Sequence, residues 1–211
     1  MTSDPTVFIV DDDATVRDAA SSLLLANALN PETFASADAF LHQVDPSRSG
    51  CLLLDLRMPG MNGLELQQEL RRRNISIPII FFTGNADVQS AVSGLTNGAA
   101  DFMEKPVQPA ELISAVERAI EQDRRARHDR EQSAEVSSRM ATLTPREREV
   151  LELMLEGVPT KNIARQLGTS FETVKNQRSS ILRKMNVANA VELVRVVTAI
   201  QTGGQTSREP A

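Results

Sequence analysis

Short apolar runs recur along the first 120 residues with helix-period segments between them. The runs are Val7–Val10, Thr33–Phe34, Leu52–Leu54, Ile79–Phe82 and Phe102–Met103. Between them, residues 14–29 repeat apolar positions at Val16, Ala19, Ala20, Leu23, Leu24 and Ala28, and similar patterns cover 37–44, 64–73 and 88–96. A last helix is predicted from Pro109, with Leu112, Ile113, Val116, Ala119 and Ile120 facing a core. Continuous rather than alternating apolar strands are those buried on both faces, as in parallel sheets. Strand and helix alternating through short turns predict a doubly wound sheet, and five strands in this span suit the flavodoxin-like order.

Beyond Ala110 the texture changes. No glycine or proline interrupts 110–144, and Asp123 to Gln132 is almost wholly polar, with opposite charges four apart at Glu121/Arg125, Asp123/Arg127 and Glu135/Arg139. Such pairs support a helix by a few tenths of a kcal/mol each. Two forms are open for 124–140: an exposed continuation of the preceding helix, or a flexible linker around Ser133–Ser138. Thr144-Pro145-Arg146-Glu147 then carries a capping box with proline in the first turn. Four short helices follow, opening at Pro145, at Lys161, after Ser170 and at Ala190, with glycines at 157 and 168 between them. They predict a small all-α four-helix domain, and its second and third helices form a helix-turn-helix. The organisation expected is a first domain over 1–123, a linker over 124–140, a second domain over 141–200 and a disordered tail over 201–211.

Charge divides at the same place. Residues 1–122 hold 17 acidic and 8 basic side chains, a net of −9, whereas 123–211 hold 11 acidic and 15 basic, a net of +4. A basic second half is the candidate for nucleic acid. No apolar stretch approaches the roughly 20 residues that span a bilayer, and the amino terminus lacks a basic-then-apolar signal. One cysteine, Cys51, cannot form an internal disulfide and reads as a small core residue. Together these features predict a cytoplasmic protein without a membrane partner.

The polar residues of the first half fall at strand ends: Asp11, Asp12 and Asp13 after the first strand, Asp55 after the third, Thr83 after the fourth and Lys105 after the fifth. In a parallel sheet these ends share one edge, where α/β proteins place their sites. Asp13 is placed to cap the helix that follows it. Clustered carboxylates repel unless a divalent cation joins them, and oxygen donors suit Mg²⁺ or Mn²⁺. A carboxylate can act as the nucleophile in phosphoryl transfer. Asp55 is then the acceptor, Lys105 pairs with a phosphoryl oxygen and the Thr83 hydroxyl donates to another. In the second half, the helix after Ser170 shows a polar face of Thr173, Lys175, Asn176, Gln177, Arg178, Ser179, Arg183 and Lys184. Its amino-terminal half suits a major groove, with flanking Lys, Arg and Thr on phosphates.

Val10-Asp11-Asp12, the stretch Leu-Asp-Leu-Arg-Met-Pro-Gly-Met-Asn-Gly over 54–63, Phe82-Thr83-Gly84 and Phe102-Met103-Glu104-Lys105-Pro106 resemble a bacterial response-regulator receiver domain over about 5–123. The resemblance implies Asp55 as phosphoacceptor and Asp11, Asp12 and Asp55 as the metal pocket, with the main-chain carbonyl of Arg57 as a further ligand. It also implies Thr83 as a switch hydroxyl and Phe102 as the aromatic that swings inward after it. Asn85 departs from the histidine common among relatives. Leu143-Thr144-Pro145-Arg146-Glu147, Ile163-Ala164, Thr173-Val174-Lys175-Asn176-Gln177 and Lys184-Met185 resemble the LuxR-type DNA-binding domain over about 141–198. That likeness implies Lys175, Gln177 and Arg178 at DNA and Glu147 in the scaffold, with Gln177 where histidine is common.

The two together resemble response regulators of the NarL/FixJ type. The resemblance implies a DNA-binding two-component transcription factor, not an enzyme. A sensor histidine kinase would phosphorylate Asp55, and the face made by 88–96, the fifth strand and the helix from Pro109 would then dimerise. A homodimer can span two half-sites on double-stranded DNA. Before phosphorylation the receiver either sequesters the DNA-binding helix or is held away from it. Two alternatives differ in kind. Asp11-Asp12-Asp13-Ala14-Thr15 matches the opening of haloacid-dehalogenase-like phosphatases, with Asp11 the nucleophile and Asp13 the acid, but that leaves Asp55 without a role. A regulator that acts without phosphorylation would not need the full set of pocket residues.

Overall fold

The computed structural model describes residues 4–84 and 98–203. The helix expected over 88–96, Asn85 and most of the expected tail lie outside the described residues. The chain forms two compact units, 1–127 and 128–211.

In the first unit, β1 (Thr6–Val10), β2 (Asn30–Phe34), β3 (Gly50–Leu54), β4 (Ile79–Thr83) and β5 (Asp101–Glu104) form one parallel sheet. Its order is β2-β1-β3-β4-β5, the flavodoxin-like order expected. Each of β1 and β3 is buried along its whole length, which is why their runs lack alternation. Successive side chains go to opposite faces. Phe8, Val10, Leu52, Leu54 and Phe81 pack under α2 (Ala37–Gln43) and α3 (Gly63–Arg72). Val7, Ile9, Cys51, Leu53 and Ile80 pack under α1 (Ala14–Ala26) and α4 (Pro109–Ala141). Cys51 is thus a core residue, and burial followed by the nearby Asp123 charge pushes its thiol up to about 12.

Three details depart from the sequence expectation. The strand expected at Thr33–Phe34 begins at Asn30 and includes Pro31, which β2 tolerates because it is the edge strand. The helix expected over 14–29 stops at Ala26. Ala28 turns left-handed (φ 57°), its N–H donates to Leu25 O, and Leu29 N–H donates to Leu24 O. This is the paired closure of a Schellman motif, here with alanine where glycine is usual. The third departure is Asp123, read as the start of an exposed polar stretch. It is 1% exposed. Its Oδ2 accepts from Gly50 N–H at 2.9 Å and from Arg127 Nε at 2.7 Å. Arg127 also donates to the carbonyls of Pro46, Ser47 and Arg48. Residues 124–140 lie within α4, one continuous helix of 33 residues.

The second unit packs α5 (Pro145–Leu155), α6 (Thr160–Gln166), α7 (Phe171–Met185) and α8 (Ala190–Gly203) around Val150, Leu151, Met154, Ile163, Val174, Ile181, Met185 and Leu193. Val136 and Met140, in the last turns of α4, join this core. The Thr144–Glu147 capping box is formed, Ser170 Oγ caps α7, and Gly157 and Gly168 turn the chain with positive φ. Helix α8 runs to Gly203, three residues into the expected tail, since Gln201 and Thr202 contain no helix breaker.

Candidate functional site

The parallel register brings β1, β3, β4 and β5 to a common carboxyl edge. Val10 stands opposite Leu54, Leu54 opposite Phe81, and Thr83 opposite Glu104. The residues after these strands therefore converge, and Asp55 N–H extends the ladder by donating to Val10 O at 2.8 Å. Asp11, Asp12 and Asp55 each place a carboxylate oxygen within 4.8 Å of the others. Asp11 and Asp55 are buried, and Asp12 is exposed. Among the described residues this is the one acidic cluster compact enough to hold a metal ion.

Lys105 closes the pocket from β5. Its Nζ lies 2.5 Å from Asp11 Oδ2, 3.4 Å from Asp55 Oδ1 and 4.8 Å from the centre of the Phe82 ring. Its main-chain N–H donates to Thr83 O, and the Lys105–Pro106 bond is cis. The Thr83 side chain is buried and lies close enough to Asp55 to draw its carboxyl down. Asp55 itself is held above its ordinary value: desolvation dominates, Lys105 pulls down, Asp11 pushes up, and the Lys105 and Thr83 bonds pull down. The residues predicted from strand ends therefore do meet.

Supporting residues, among them the expected cap Asp13, explain how the pocket keeps its shape. Arg17 Nη1 donates to Asp11 O at 2.7 Å, and Asp13 N–H to Asp11 Oδ1 at 2.9 Å. Asp13 caps α1 through Thr15 N–H, which keeps its carboxyl below the usual range. Arg57 enters the loop through its N–H, which donates to Asp55 Oδ2 at 3.1 Å. A Cβ on Gly63 would come within 2.5 Å of Asp55 O, so only glycine lets the start of α3 seat against this loop. The capping box of Asn62 and Glu65 fixes that start. Phe102 lies outside the acidic cluster. It is half-buried in the α2/α3-side core, with its ring 6.1 Å from that of Phe81.

In the second unit, Thr173, Lys175 and Asn176 are exposed on the first turns of α7, while Gln177 and Arg178 are half-buried. Gln177 Oε1 is shielded from solvent without a hydrogen-bond partner among the described residues. Lys184 stands apart from the others. Its Nζ donates to Glu147 Oε2 at 2.6 Å and to Thr142 O at 3.2 Å, so it ties α7 to α5. Glu147 also accepts from Thr144 N–H, Thr144 Oγ1 and Ser180 Oγ. Desolvation raises the Glu147 carboxyl, but these bonds outweigh it and hold it down to about 2. The Thr144-x-x-Glu147 spacing signalled the cap; nothing local signalled Lys184, 37 residues away.

Comparison with known proteins agrees with this arrangement. Residues 7–117 match the response regulator receiver domain, and 141–197 match the LuxR family of bacterial regulatory proteins. Nodulation protein W of Bradyrhizobium diazoefficiens is 39% identical over 190 residues, covering 90% of this chain and 84% of its own. The transcriptional regulatory protein FixJ of Rhizobium meliloti is 40% identical over 197 residues, covering 93% and 97%. Among solved structures, that of response regulator StyR aligns with a TM-score of 0.84 at 39% identity over 93% of this chain and 99% of that one. These full-length likenesses leave no room for the phosphatase reading, and among the described residues no strand follows β5 to supply its later acidic pair. The chain belongs to the two-component response regulators of the NarL/FixJ type, DNA-binding transcription factors that couple a receiver domain to a LuxR-type helix-turn-helix domain.

Proposed function

We propose that Asp55 accepts a phosphoryl group from a sensor histidine kinase and that the modified receiver then drives DNA binding by the basic domain. The observation that carries the reading is the meeting of Asp11, Asp12, Asp55, Thr83 and Lys105 from four strand ends. The Asp55 carboxylate attacks phosphorus of the kinase phosphohistidine. The P–N bond breaks, and its electron pair stays on the imidazole nitrogen, which takes a proton. Thr83 and Lys105 hold oxygens of the transferred group, and Lys105 moves its charge from Asp11 toward it.

Three carboxylates against one ammonium leave an excess of negative charge and a set of hard oxygen donors, which fits Mg²⁺ or Mn²⁺. Asp11, Asp12, Asp55 and the Arg57 carbonyl would hold the ion. A bound divalent cation neutralises charge on the phosphoryl oxygens and orients the group for in-line attack.

In this reading the phosphoacceptor domain expected over 1–123 extends to Arg127, the connecting segment follows it to 140 and the DNA-binding domain covers 141–200, acting in the cytoplasm. Engagement of Thr83 and Phe102 remodels a receiver face that then dimerises, so that two second domains meet two half-sites. Thr173, Lys175, Asn176, Gln177 and Arg178 face DNA, and Lys184 serves the scaffold. The test is Mg²⁺ with beryllium fluoride or a small phosphodonor, followed by solution mass and DNA affinity, on wild type and Asp55→Asn. A rise in mass and affinity confined to the wild type is expected. No change in the wild type would sink the proposal.

A further inference from the structure

The amino-terminal residues of a recognition helix reach furthest into the major groove. Helix α7 places a phenylalanine there. Phe171 is its first residue, directly after the Ser170 cap, and is 53% exposed. Among the described residues, only Leu25 and Val191 are comparably exposed large apolar side chains. The inward positions of α7 are taken by Val174, Ile181 and Met185. The helix start is already closed by Ser170 Oγ, which accepts from Thr173 N–H at 3.0 Å and bonds Thr173 Oγ1 at 2.8 Å. Phe171 therefore serves neither cap nor core.

Its neighbours say what it faces. At helical spacing, Phe171 shares a stripe with Lys175 and Arg178, four and seven residues on. Its acidic neighbour Glu172 is paired with Lys175 at 3.2 Å, which mutes a charge that DNA would repel. This stripe lies in the half of the chain that carries a net charge of +4. An apolar ring at the tip of such a helix matches the one apolar feature of the major groove, the C5-methyl group of thymine. We propose that Phe171 is a base-reading residue that selects thymine by packing on this methyl group. The proposal rests on the reading of α7 as the helix that enters the groove.

The test uses the full-length chain and a DNA site selected by it from a random pool. Each thymine is replaced in turn by deoxyuridine, which removes only the methyl group. At one thymine per half-site, the replacement should weaken wild-type binding about fourfold, the worth of burying one methyl group. Phe171→Ala should lose that factor on thymine DNA and show no further loss on deoxyuridine DNA; such non-additivity marks a direct contact. Phe171→Leu should keep part of the preference, and thermal melts of both variants should match the wild type. Lys175→Ala, measured beside them, should weaken all these DNAs alike. If Lys175→Ala weakens binding while Phe171→Ala keeps the wild-type thymine preference, the Phe171 proposal alone is overturned. If neither variant has an effect, it falls together with the placement of α7.

Discussion

Lys105 stands closer to Asp11 than to Asp55: its ammonium is 2.5 Å from Asp11 Oδ2 and 3.4 Å from Asp55 Oδ1. The lysine is thus the resident counter-charge of the carboxylate that lies deeper, Asp11 being only 3% exposed. A divalent cation entering the cluster competes with it. Lys105→Met should lower receiver stability in the absence of Mg²⁺ by about 1–3 kcal/mol, the cost of a buried polar group left without its partner. Mg²⁺ should recover more of that loss than it adds to the wild type. Denaturant titrations with and without Mg²⁺ read both effects, and equal responses would exclude the competition.

Asp55→Asn should make the metal-free protein more stable once the pH exceeds the raised titration of the folded Asp55 carboxyl. The folded Asp55 carboxyl is raised above its ordinary 3.8, chiefly by desolvation. Between 3.8 and the raised value the folded state binds more protons than the unfolded one, so stability falls as pH climbs through that window. Above it the penalty is complete. The advantage of Asn should therefore be full above the raised value and shrink as pH drops toward 3.8. Mg²⁺ should reverse the order: a ligand at 100 times its Kd adds about 2.7 kcal/mol to the form that binds it. Thermal melts across pH and Mg²⁺ concentration decide the matter.

The Glu147–Lys184 tie gives the second unit an acid limit of its own. Glu147 titrates near 2 in the folded state against an ordinary 4.5. A depressed carboxylate contributes stability that is complete above its unfolded value and is lost as pH falls toward the folded one. Unfolding of the second unit should therefore become easier between about pH 4.5 and 2. Lys184→Met should cost about 1–3 kcal/mol at neutral pH by removing the cation paired with Glu147, and should flatten this acid slope. DNA affinity per folded molecule should stay unchanged; a large loss would return Lys184 to the DNA face.

The sheet order and the pocket were legible because both follow from strand positions. An uninterrupted apolar run announces a strand covered on both faces, and the polar residue after it can only lie at the carboxyl edge. What stayed hidden were long-range polar partnerships. Asp123 sits in a string of charges and reads as solvated, yet Gly50 N–H, 73 residues back, donates to its buried oxygen. The expected phosphate contact Lys184 is drawn inward by an acid that local spacing had already assigned to a cap. The early end of α1 was invisible for a different reason. Alanine favours helix, and nothing in Asn27-Ala28-Leu29 announces a left-handed turn.

That turn is itself testable. Ala28 is exposed and holds a φ of 57° that costs a residue with a Cβ roughly 1–2 kcal/mol. Glycine removes the strain but gains freedom in the unfolded chain. Ala28→Gly should stabilise the first unit by roughly 0.5–1 kcal/mol, read as a shift in denaturant midpoint with an unchanged slope. A destabilisation would mean that the turn is not strained.

The buried bond between Asp123 and Arg127 sets where this protein can be cut and joined. Arg127 fastens α4 to the carbonyls of residues 46–48, and Asp123 fastens it to the first residue of β3. A chimaera that transplants the receiver onto a different output module must carry both. A junction placed between them leaves the carboxylate of Asp123 sealed beside Cys51 with no guanidinium. A junction after Arg127 keeps the module whole, and the interchangeable parts of this regulator are divided by that arginine.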